Sequence, residues 1–292
     1  MDPALENIGW TEEHWNRICT TVTEEAQKGR VAAQGLPVSG PEDANTVAVP
    51  TFRLFPQANV GPPPIARLAI DSNPNLPITT IAINVQLRTH EVAEPALNAA
   101  LGMFRRAANH IARIEDALVF NGRPFPNVPP WGTGGVPNVF TVRGDSFAPG
   151  LFWPPNRLFW SNRPPPSRGV QLVNIIQDAV GFLEGRGQLG PFACFLGRRL
   201  FADAHDPTTS LVLPRDRFLP FLQGPLLRSS AILPRWGAVV ALSGSPVELV
   251  VASDISVKFL QATPEPRYVF RVSERIALRI KERRAIAVLC RV

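Results

Sequence analysis

Histidine, cysteine and acidic side chains are the residues of this 292-residue chain that would carry catalysis or bind a metal. The histidines are His14, His90, His110 and His205, and the cysteines are Cys19, Cys194 and Cys290. The histidines share neither the HxH nor the HExxH spacing of a metal site, and those at 14 and 110 fall within predicted helices, where they would be solvated or packed. The cysteines are odd in number, far apart and outside any CxxC motif. These residues predict neither a metal site nor a disulfide framework, and the pattern is typical of a reducing compartment.

Three patterns of catalytic or nucleotide-binding proteins are incomplete or missing. Gly144-Asp145-Ser146 resembles the start of a lipase-type serine motif, but it has no Asp-x-x-His partner, so we interpret it as a loop turn. Glu115 and Asp116 are adjacent on a predicted helix, so their carboxylates do not face each other as an acid–base pair. No Walker A pattern occurs. The sequence predicts no enzyme activity and no cofactor, with a small soluble enzyme that lacks a recognisable motif as an alternative.

Composition predicts a folded protein whose surface is largely covered by other chains. Hydrophobic residues make up 45% of the chain, whereas charged residues make up 18%, below the roughly 25% of an average soluble domain. The net charge of +6 comes almost wholly from arginine, which is favoured at protein interfaces. Basic residues occur in pairs such as Arg105–Arg106, not in the runs typical of nucleic-acid-binding tails. We therefore expect intersubunit arginine contacts rather than a nucleic-acid partner.

The sequence carries no predicted targeting or membrane segment. Residues 1–9 lack the basic and apolar regions of a signal peptide. The longest apolar stretch, Trp236–Ala252, is interrupted by Gly244 and Pro246, so it is too short to span a bilayer. We therefore expect a cytoplasmic protein without a membrane span.

The first predicted element is a helix that begins after Thr11. The Thr11 hydroxyl can cap the first free backbone N–H groups, and Trp10 and Trp15 occupy the two positions of a hydrophobic staple. The apolar face consists of Trp15, Ile18, Cys19, Val22 and Ala26 at helical spacing. The segment is expected to end at Gly35, Pro37 and Gly40–Pro41.

A segment of short extended runs separated by prolines follows this helix. Thr51–Phe55 and Ile65–Ile70 are predicted to form the strands of a β-hairpin. The residues assigned to this assembly arm are Phe52, Phe55, Pro62, Pro63 and Pro64, with the three prolines at its tip. Because such an arm buries little surface within its own chain, we expect it to contact a neighbouring subunit.

Pro95–Phe120 shows the strongest helical pattern of the chain. Pro95 is expected in the first turn and Gly122 as the C-cap. The apolar stripe consists of Leu97, Leu101, Phe104, Ala108, Ile111 and Leu118.

The C-terminal half alternates helices and strands. Arg123–Gly169 is rich in proline and aromatic residues, and we interpret it as an ordered loop. The predicted elements are a helix at Val170–Leu183, a strand at Phe192–Leu196, a helix at Arg215–Gln223, a hairpin of Ala238–Leu242 with Val247–Ala252, and a strand at Phe270–Ile280. The helix, strand, helix and hairpin between Val170 and Ala252 predict a compact α+β subdomain.

Four short sequences stand out by their order along the chain. They are Trp10-Thr-Glu-Glu-His-Trp15, Ala112-Arg-Ile-Glu-Asp-Ala-Leu-Val-Phe-Asn-Gly122, Gly190–Pro191–Phe192 and Ser253-Asp-Ile-Ser-Val257. In this order they resemble the opening helix, the end of the spine helix, the start of the apical-domain strand and the closing segment of the encapsulins. Encapsulins are the shell proteins of bacterial and archaeal nanocompartments.

The resemblance implies an α+β chain with the tailed-phage major capsid fold, the Hong Kong 97 type, which has a peripheral domain, an extended loop and an apical domain. The implied segments are 1–46 (N-terminal helix and part of the peripheral domain), 47–83 (extended loop), 84–122 (peripheral domain with the spine helix), 123–169 (proline- and aromatic-rich insertion), 170–252 (apical domain) and 253–292 (closing strands of the peripheral domain). A closed icosahedral homo-oligomer of roughly 60 subunits, or a multiple, is the implied assembly.

The resemblance also implies a cargo enzyme, either a peroxidase or a ferritin-like protein, which docks through a terminal peptide and serves iron storage or oxidative-stress chemistry. The implied residues are Trp15, Ile18 and Val22 in the cargo groove and His205, Asp206, Thr208, Thr209 and Ser210 in a pore loop. A phage or prophage major capsid protein is the alternative. The start of the chain at a cargo-type helix, with no scaffold-like region before it, is expected to favour the encapsulins.

Overall fold

A computed structural model describes residues 8–43, 45–58, 66–71, 75–123, 140–144, 148–153, 157–160, 168–206, 212–263, 265 and 267–291. The helices of these residues are α1 (Glu12–Gly29), α2 (Val31–Gly35), α3 (Thr89–Val92), α4 (Asn98–Asn121), α5 (Arg168–Glu184), α6 (Arg198–Ala204) and α7 (Pro214–Leu222). The strands are β1 (Val38–Ser39), β2 (Ala48–Pro50), β3 (Arg53–Ala58), β4 (Ala66–Asp71), β5 (Asn75–Pro77), β6 (Thr79–Arg88), β7 (Phe140–Arg143), β8 (Arg157–Trp160), β9 (Phe192–Leu196), β10 (Gln223–Arg228), β11 (Trp236–Ala241), β12 (Val247–Ala262), β13 (Arg267–Ile280) and β14 (Ile286–Arg291).

The first of two five-stranded sheets has the strand order β1-β12-β13-β6-β7. Its pairs are antiparallel except for β1 with β12. Helices α1 and α4 pack against this sheet and against each other. The predicted strand Phe270–Ile280 is confirmed as part of β13, in which Phe270, Val272 and Ile276 are buried while Arg271 and Arg275 are partly exposed. The sheet therefore covers one side of the largest core.

The second five-stranded sheet has the order β10-β9-β11-β14-β8 and supports α5, α6 and α7. The predicted strand Phe192–Leu196 is confirmed as β9, and all five of its residues are buried. Cys194 packs among the side chains of α5–α7 on one face. Phe195 meets Phe120 of α4 on the other face, with ring centroids 5.1 Å apart. The strand is apolar throughout because both faces of the sheet are covered.

The predicted hairpin of Ala238–Leu242 with Val247–Ala252 is wrong. Strand β11 pairs with β9 and β14 in the second sheet, whereas β12 pairs with β1 and β13 in the first. Residues 243–246 therefore carry the chain from one sheet to the other. Apart from Glu248, both strands are buried and apolar where they flank this turn, so the hydrophobic pattern is satisfied in either sheet and does not identify the partner.

Helix α4 begins at Asn98, so the predicted start at Pro95 is wrong. Pro95 lies in the turn before the helix, and Leu97, with φ +52°, leads the chain into it. The Glu94 carboxylate accepts hydrogen bonds from the Asn98 side-chain amide (3.0 Å) and the Ala99 N–H (3.1 Å). Glu94 thus satisfies free donors at the helix start. The predicted stripe is confirmed, since Leu97, Leu101, Phe104, Ala108, Ile111 and Leu118 are all buried.

The ends of α1 and α4 show why the chain changes direction there. Gly122 is confirmed as the C-cap of α4: its φ is +72°, and a Cβ would collide with the Ala148 carbonyl oxygen. Helix α1 ends at Gly29 because Arg30 is extended, and the expected end at Gly35 is the end of α2 instead. The interruption at Arg30 places its side chain within the core.

Candidate functional site

The aromatic residues at the start of α1 hold this helix on the first sheet. Thr11 Oγ1 accepts a hydrogen bond from the His14 N–H at 3.3 Å, which confirms the predicted N-cap. The ring centroids of Trp10 and Trp15 lie 6.3 Å apart, which confirms the contact of the predicted staple. Trp10 also stacks on Phe270 of β13 at 4.9 Å. The helix is therefore fixed at its first turn.

The three predicted cargo-groove residues occupy two different environments. Ile18 and Val22 are 0% and 1% exposed, and both pack into the core beneath α1. Trp15 keeps part of its surface accessible. Ile18 and Val22 therefore hold the helix on its own subunit and are unavailable to a peptide in this conformation. Helical periodicity alone does not distinguish such a face from a docking face.

An open groove of about 600 Å³ lies near the C-terminal end of α1, between α2 and β12. Its lining consists of Gln27, Arg30, Ala33, Gln34, Val38, Ser39, Gly40, Pro41, Val251 and Asp254. Val38, on the edge strand β1, is 53% exposed. Gly40 has φ +119°, and a Cβ there would collide with the Val251 carbonyl oxygen. Glycine therefore allows the loop to lie directly against β12 and form one wall.

Arg30, which lines this groove, is the centre of a buried charge cluster. Its Nε lies 2.8 Å from Glu115 Oε2, its Nη1 donates to Asp254 Oδ1 at 2.8 Å, and its Nη2 donates to Glu274 Oε1 at 2.6 Å. The side chains of Glu115 and Glu274 are fully buried, whereas that of Asp254 is 56% exposed. One guanidinium therefore connects α4, β12 and β13 to the interruption between α1 and α2.

Asp116, next to Glu115 in sequence, fastens the short helix α2. Its Oδ1 accepts hydrogen bonds from the N–H groups of Val31 (3.0 Å) and Ala32 (2.8 Å). Its Oδ2 accepts a hydrogen bond from the Ser229 hydroxyl at 2.8 Å. The carboxylate therefore satisfies the first donors of α2 and ties this helix to both α4 and the segment after β10.

Sequence reasoning missed this cluster, although two signals were present. The adjacent acids Glu115 and Asp116 fall within the most apolar part of α4, where a charged residue needs a buried partner. Glu274 falls in register with the apolar positions 270, 272 and 276 of β13. The two helix acids indeed do not face each other as an acid–base pair, because each has its own partners.

Burial raises the pKa of all three buried carboxyl groups. Desolvation raises the pKa of Glu274 to about 7, and the Arg30 charge opposes this effect. Desolvation, followed by the charge of Glu274, raises the pKa of Glu115 well above its usual value. Desolvation also raises the pKa of Asp116 to about 7, against the lowering by its hydrogen bonds to Ala32, Ser229 and Val31. At a pH between the unfolded and the folded pKa values, these carboxyl groups therefore keep protons in the folded protein that they release in the unfolded chain.

This protonation makes stability depend on pH with a definite sign. A folded-state pKa raised above the unfolded value stabilises fully below the unfolded pKa, and the stabilisation is lost as pH rises through the folded pKa. For Glu274 this window runs from about 4.5 to about 7. We expect the Tm of the wild type, relative to that of Glu274→Gln, to fall by on the order of 5 °C between pH 5 and pH 8.

Differential scanning calorimetry at matched ionic strength measures this difference. Glu265→Gln is the control, because the Glu265 side chain is 82% exposed and should follow the wild type at every pH. A Tm difference between wild type and Glu274→Gln that stays constant from pH 5 to pH 8, or grows, contradicts the assignment.

The predicted pore loop is described only at its start. His205 Nδ1 lies 2.8 Å from the Phe201 carbonyl oxygen, and the two rings are 4.4 Å apart, so His205 is held at the end of α6. Asp206 is exposed. Thr208, Thr209 and Ser210 lie outside the described residues. The pore loop stays a prediction.

The two strands of the predicted arm are confirmed as β3 and β4. They are antiparallel, with pairs from Arg53–Asp71 to Ala58–Ala66. Phe52, just before β3, is 38% exposed and has the Lys281 ammonium 5.2 Å from its ring centroid. The Phe55 side chain and residues Pro62, Pro63 and Pro64 lie outside the described part of the chain.

Two kinds of feature are absent from the described residues. No helix there is both long enough and apolar enough to cross a bilayer. No three His, Cys, Asp or Glu side chains in the same residues are grouped so that they could hold a metal ion.

Comparison with known proteins identifies the family that this chain resembles. Residues 6–128 match the family described as encapsulating protein for peroxidase. The chain is 27% identical to the type 1 encapsulin shell protein EncA of Myxococcus xanthus strain DK1622, over 95% of this chain and 92% of that protein. These matches confirm the resemblance to the encapsulin shell proteins.

Solved structures show the same fold. The virus-like particle of Pyrococcus furiosus superposes with a TM-score of 0.65 at 17% identity, covering 95% of this chain and 99% of that one. The capsid of Myoviridae phage XM1 gives a TM-score of 0.60 at 14% identity, covering 90% and 92%. A chain of Mycobacterium phage Bobi gives 0.62 at 16% identity, covering 90% and 91%. The chain therefore has the Hong Kong 97 type of capsid fold.

Proposed function

We propose that this protein is the subunit of a closed icosahedral shell that encloses a cargo enzyme in the cytoplasm. The observation that carries this proposal is the ribbon of β3 and β4, whose strands, among the described residues, pair only with each other. An isolated two-stranded ribbon is marginally stable in water, so it needs a surface to lie on. The capsid fold and the match to an encapsulin shell protein support a neighbouring subunit as that surface.

Assembly is the direct test of this proposal. Closed shells use point-group symmetry, so we expect particles of roughly 60 copies or a multiple. With a subunit of 32.0 kDa, the smallest such particle has a mass of about 1.9 MDa. Light scattering coupled to size exclusion, followed by electron microscopy of the peak, measures both mass and symmetry. Elution of the native chain as a monomer or dimer without particles would overturn the proposal.

The groove near Arg30 is the proposed docking site of the cargo peptide. It offers apolar surface from Ala33, Val38 and Val251, and it has the charges of Arg30 and Asp254 at one side. The buried part of α1 needs no change for a peptide to enter this groove. A peroxidase or a ferritin-like protein is the proposed cargo class, with a role in oxidative-stress chemistry or iron storage.

Loading should respond to a charge in this groove. Val38→Glu is expected to lower the cargo per shell by roughly tenfold, because a carboxylate would replace an apolar contact and the loss of about 1.4 kcal/mol is a factor of ten in affinity. The ratio of cargo to shell after co-expression with a peroxidase or a ferritin-like protein that carries its terminal peptide measures this. Val47→Glu is the matched control, because Val47 is 78% exposed and lies outside the groove. Equal loading in both variants contradicts this site.

A phage or prophage capsid protein is the second candidate, because the same fold superposes on phage capsids. The two functions differ in the content of the particle. Purified particles of a nanocompartment contain a protein cargo, whereas capsids assembled with a packaging system contain DNA. The ratio of absorbance at 260 and 280 nm after nuclease treatment separates them. The loop that begins at His205 is proposed to line the opening at the five-fold axis in either case.

A further inference from the structure

A second cavity lies in the other half of the subunit, far along the chain from the groove. It has a volume of about 260 Å³ and is formed by the start of α5, by α6, by the start of β11 and by the end of β14. Its lining consists of Arg168, Arg199, Ala202, Asp203, Arg235 and Arg291. Four guanidinium groups and one carboxylate therefore line this space, which leaves three positive charges in excess within the lining. Asp206 is a further acidic group near Asp203.

The one carboxylate is already engaged. Asp203 Oδ2 accepts a hydrogen bond from Arg291 Nη1 at 2.5 Å, and the two side chains are only 13% and 7% exposed. Among the described residues, Arg168, Arg199 and Arg235 form no salt bridge, and all three are exposed at the rim of the cavity. The Asp203–Arg291 pair therefore forms a neutral floor. Burial raises the pKa of Asp203, and the charges of Arg291 and Arg168 oppose this effect, so Arg168 lies near the same carboxylate. The guanidinium groups of Arg199 and Arg235 are left for a ligand.

Backbone contacts hold these arginines on rigid elements. The Arg199 N–H donates to the Pro234 carbonyl at 2.9 Å, and the Arg291 N–H donates to the Arg235 carbonyl at 3.1 Å. Gly169, the second residue of α5, is so close to α6 that a Cβ there would lie 3.1 Å from the Asp203 carbonyl oxygen. The start of α5, α6, β11 and β14 are thus mutually fixed, so the positive charges converge without a conformational change.

Guanidinium groups select their ligands by shape as well as charge. A planar guanidinium donates two parallel hydrogen bonds to a phosphoryl group or a carboxylate, which lysine does not do. The start of α5, a helix of 17 residues, adds the positive end of its dipole on the same side. A volume of about 260 Å³ accommodates a phosphoryl group but not a bulky ligand.

We propose that this cavity, the arginine pocket (Arg168, Arg199, Arg235 and Arg291 with Asp203), binds a phosphoryl group. The source is either inorganic phosphate or the terminal phosphate of a nucleotide, since both present the same oxygens to the guanidinium groups. The site does not depend on the proposed function, because all of its residues come from one subunit.

Isothermal titration of the full-length protein in its native assembly tests the proposal, with inorganic phosphate and ATP as probes at constant ionic strength. We expect saturable binding with one site per chain for at least one probe and none for chloride. Equal affinity for the two probes identifies free phosphate as sufficient, and tenfold tighter binding of ATP identifies the nucleotide. Both results support the site.

Arg199→Gln and Arg235→Gln each remove one donor fork without disturbing the buried Asp203–Arg291 pair. Each is expected to weaken binding at least tenfold. Arg106→Gln is the matched control, because Arg106 is exposed on α4 outside the pocket and should bind as the wild type does. Absence of saturable binding for both probes overturns the proposal. So does unchanged affinity in Arg199→Gln and Arg235→Gln, when circular dichroism and particle size match the wild type.

Discussion

Arg30→Ala is expected to destabilise the subunit by about 3–5 kcal/mol, because it leaves the buried carboxyl groups of Glu115 and Glu274 without their common cation. In a chain of this size such a loss lowers the Tm by roughly 6–20 °C. The side chain also connects α4, β12 and β13, so the yield of soluble particles should fall as well. Thermal unfolding followed by circular dichroism measures the change.

The reason for the loss can be separated from a general effect of deleting an arginine. Arg106→Ala is the control, since Arg106 is exposed on α4 and should change stability by less than about 0.5 kcal/mol. The double variant Arg30→Ala/Glu274→Gln removes one of the two fully buried carboxylates as well, so it should recover part of the lost stability. A change in Tm of about 2 °C corresponds to a loss of about 1 kcal/mol or less. A Tm of Arg30→Ala within about 2 °C of the wild type, or a double variant no more stable than the single one, would show that the cluster does not stabilise the subunit.

Deleting Pro56–Pro64 is expected to abolish closed particles while the subunit still folds. The deletion leaves residues 65–68 as a four-residue loop that closes the ribbon after the Phe55–Ala69 pair, a common hairpin length. The two five-stranded sheets do not include β3 or β4, so their cores stay intact. If the arm lies on a neighbouring subunit, a loss of about 1.4 kcal/mol per arm already weakens each contact by a factor of ten.

Sedimentation velocity gives the fraction of chains in particles, and circular dichroism of the same sample reports the fold. A variant in which nine glycine and serine residues replace residues 56–64 keeps the length of the arm. It shows whether the side chains or the reach of the ribbon matter. If the deletion variant forms particles of the same size and heat resistance as those of the wild type, the role of the arm in assembly is refuted. An unfolded deletion variant would refute the independence of the arm from the two cores.

The sequence alone was sufficient for features whose causes lie within a few residues. Local residue spacing predicts three such features: the Thr11 cap, the apolar stripe of α4 with Gly122 at its end, and the buried strand β9. Each depends on backbone donors or on a hydrophobic period that neighbouring residues share. The antiparallel arm followed from two extended runs with a proline-rich segment between them. The resemblance to the encapsulins was accessible because short local sequences, in a fixed order, carried it.

The tertiary structure decided which elements and charges meet. Strand β11 is apolar enough for either sheet, and only the packing of α5–α7 against β9 and β14 assigns it to the second. Arg30 meets Asp254 and Glu274 across 224 and 244 residues of sequence, which no periodicity encodes. The helical spacing of Ile18 and Val22 fits a docking face and a core face equally well, and only the folded chain shows that both side chains are buried in the core of their own subunit. Hydrophobic spacing predicts that a side chain is buried, but only the folded chain determines whether it is buried within its own subunit or against a partner.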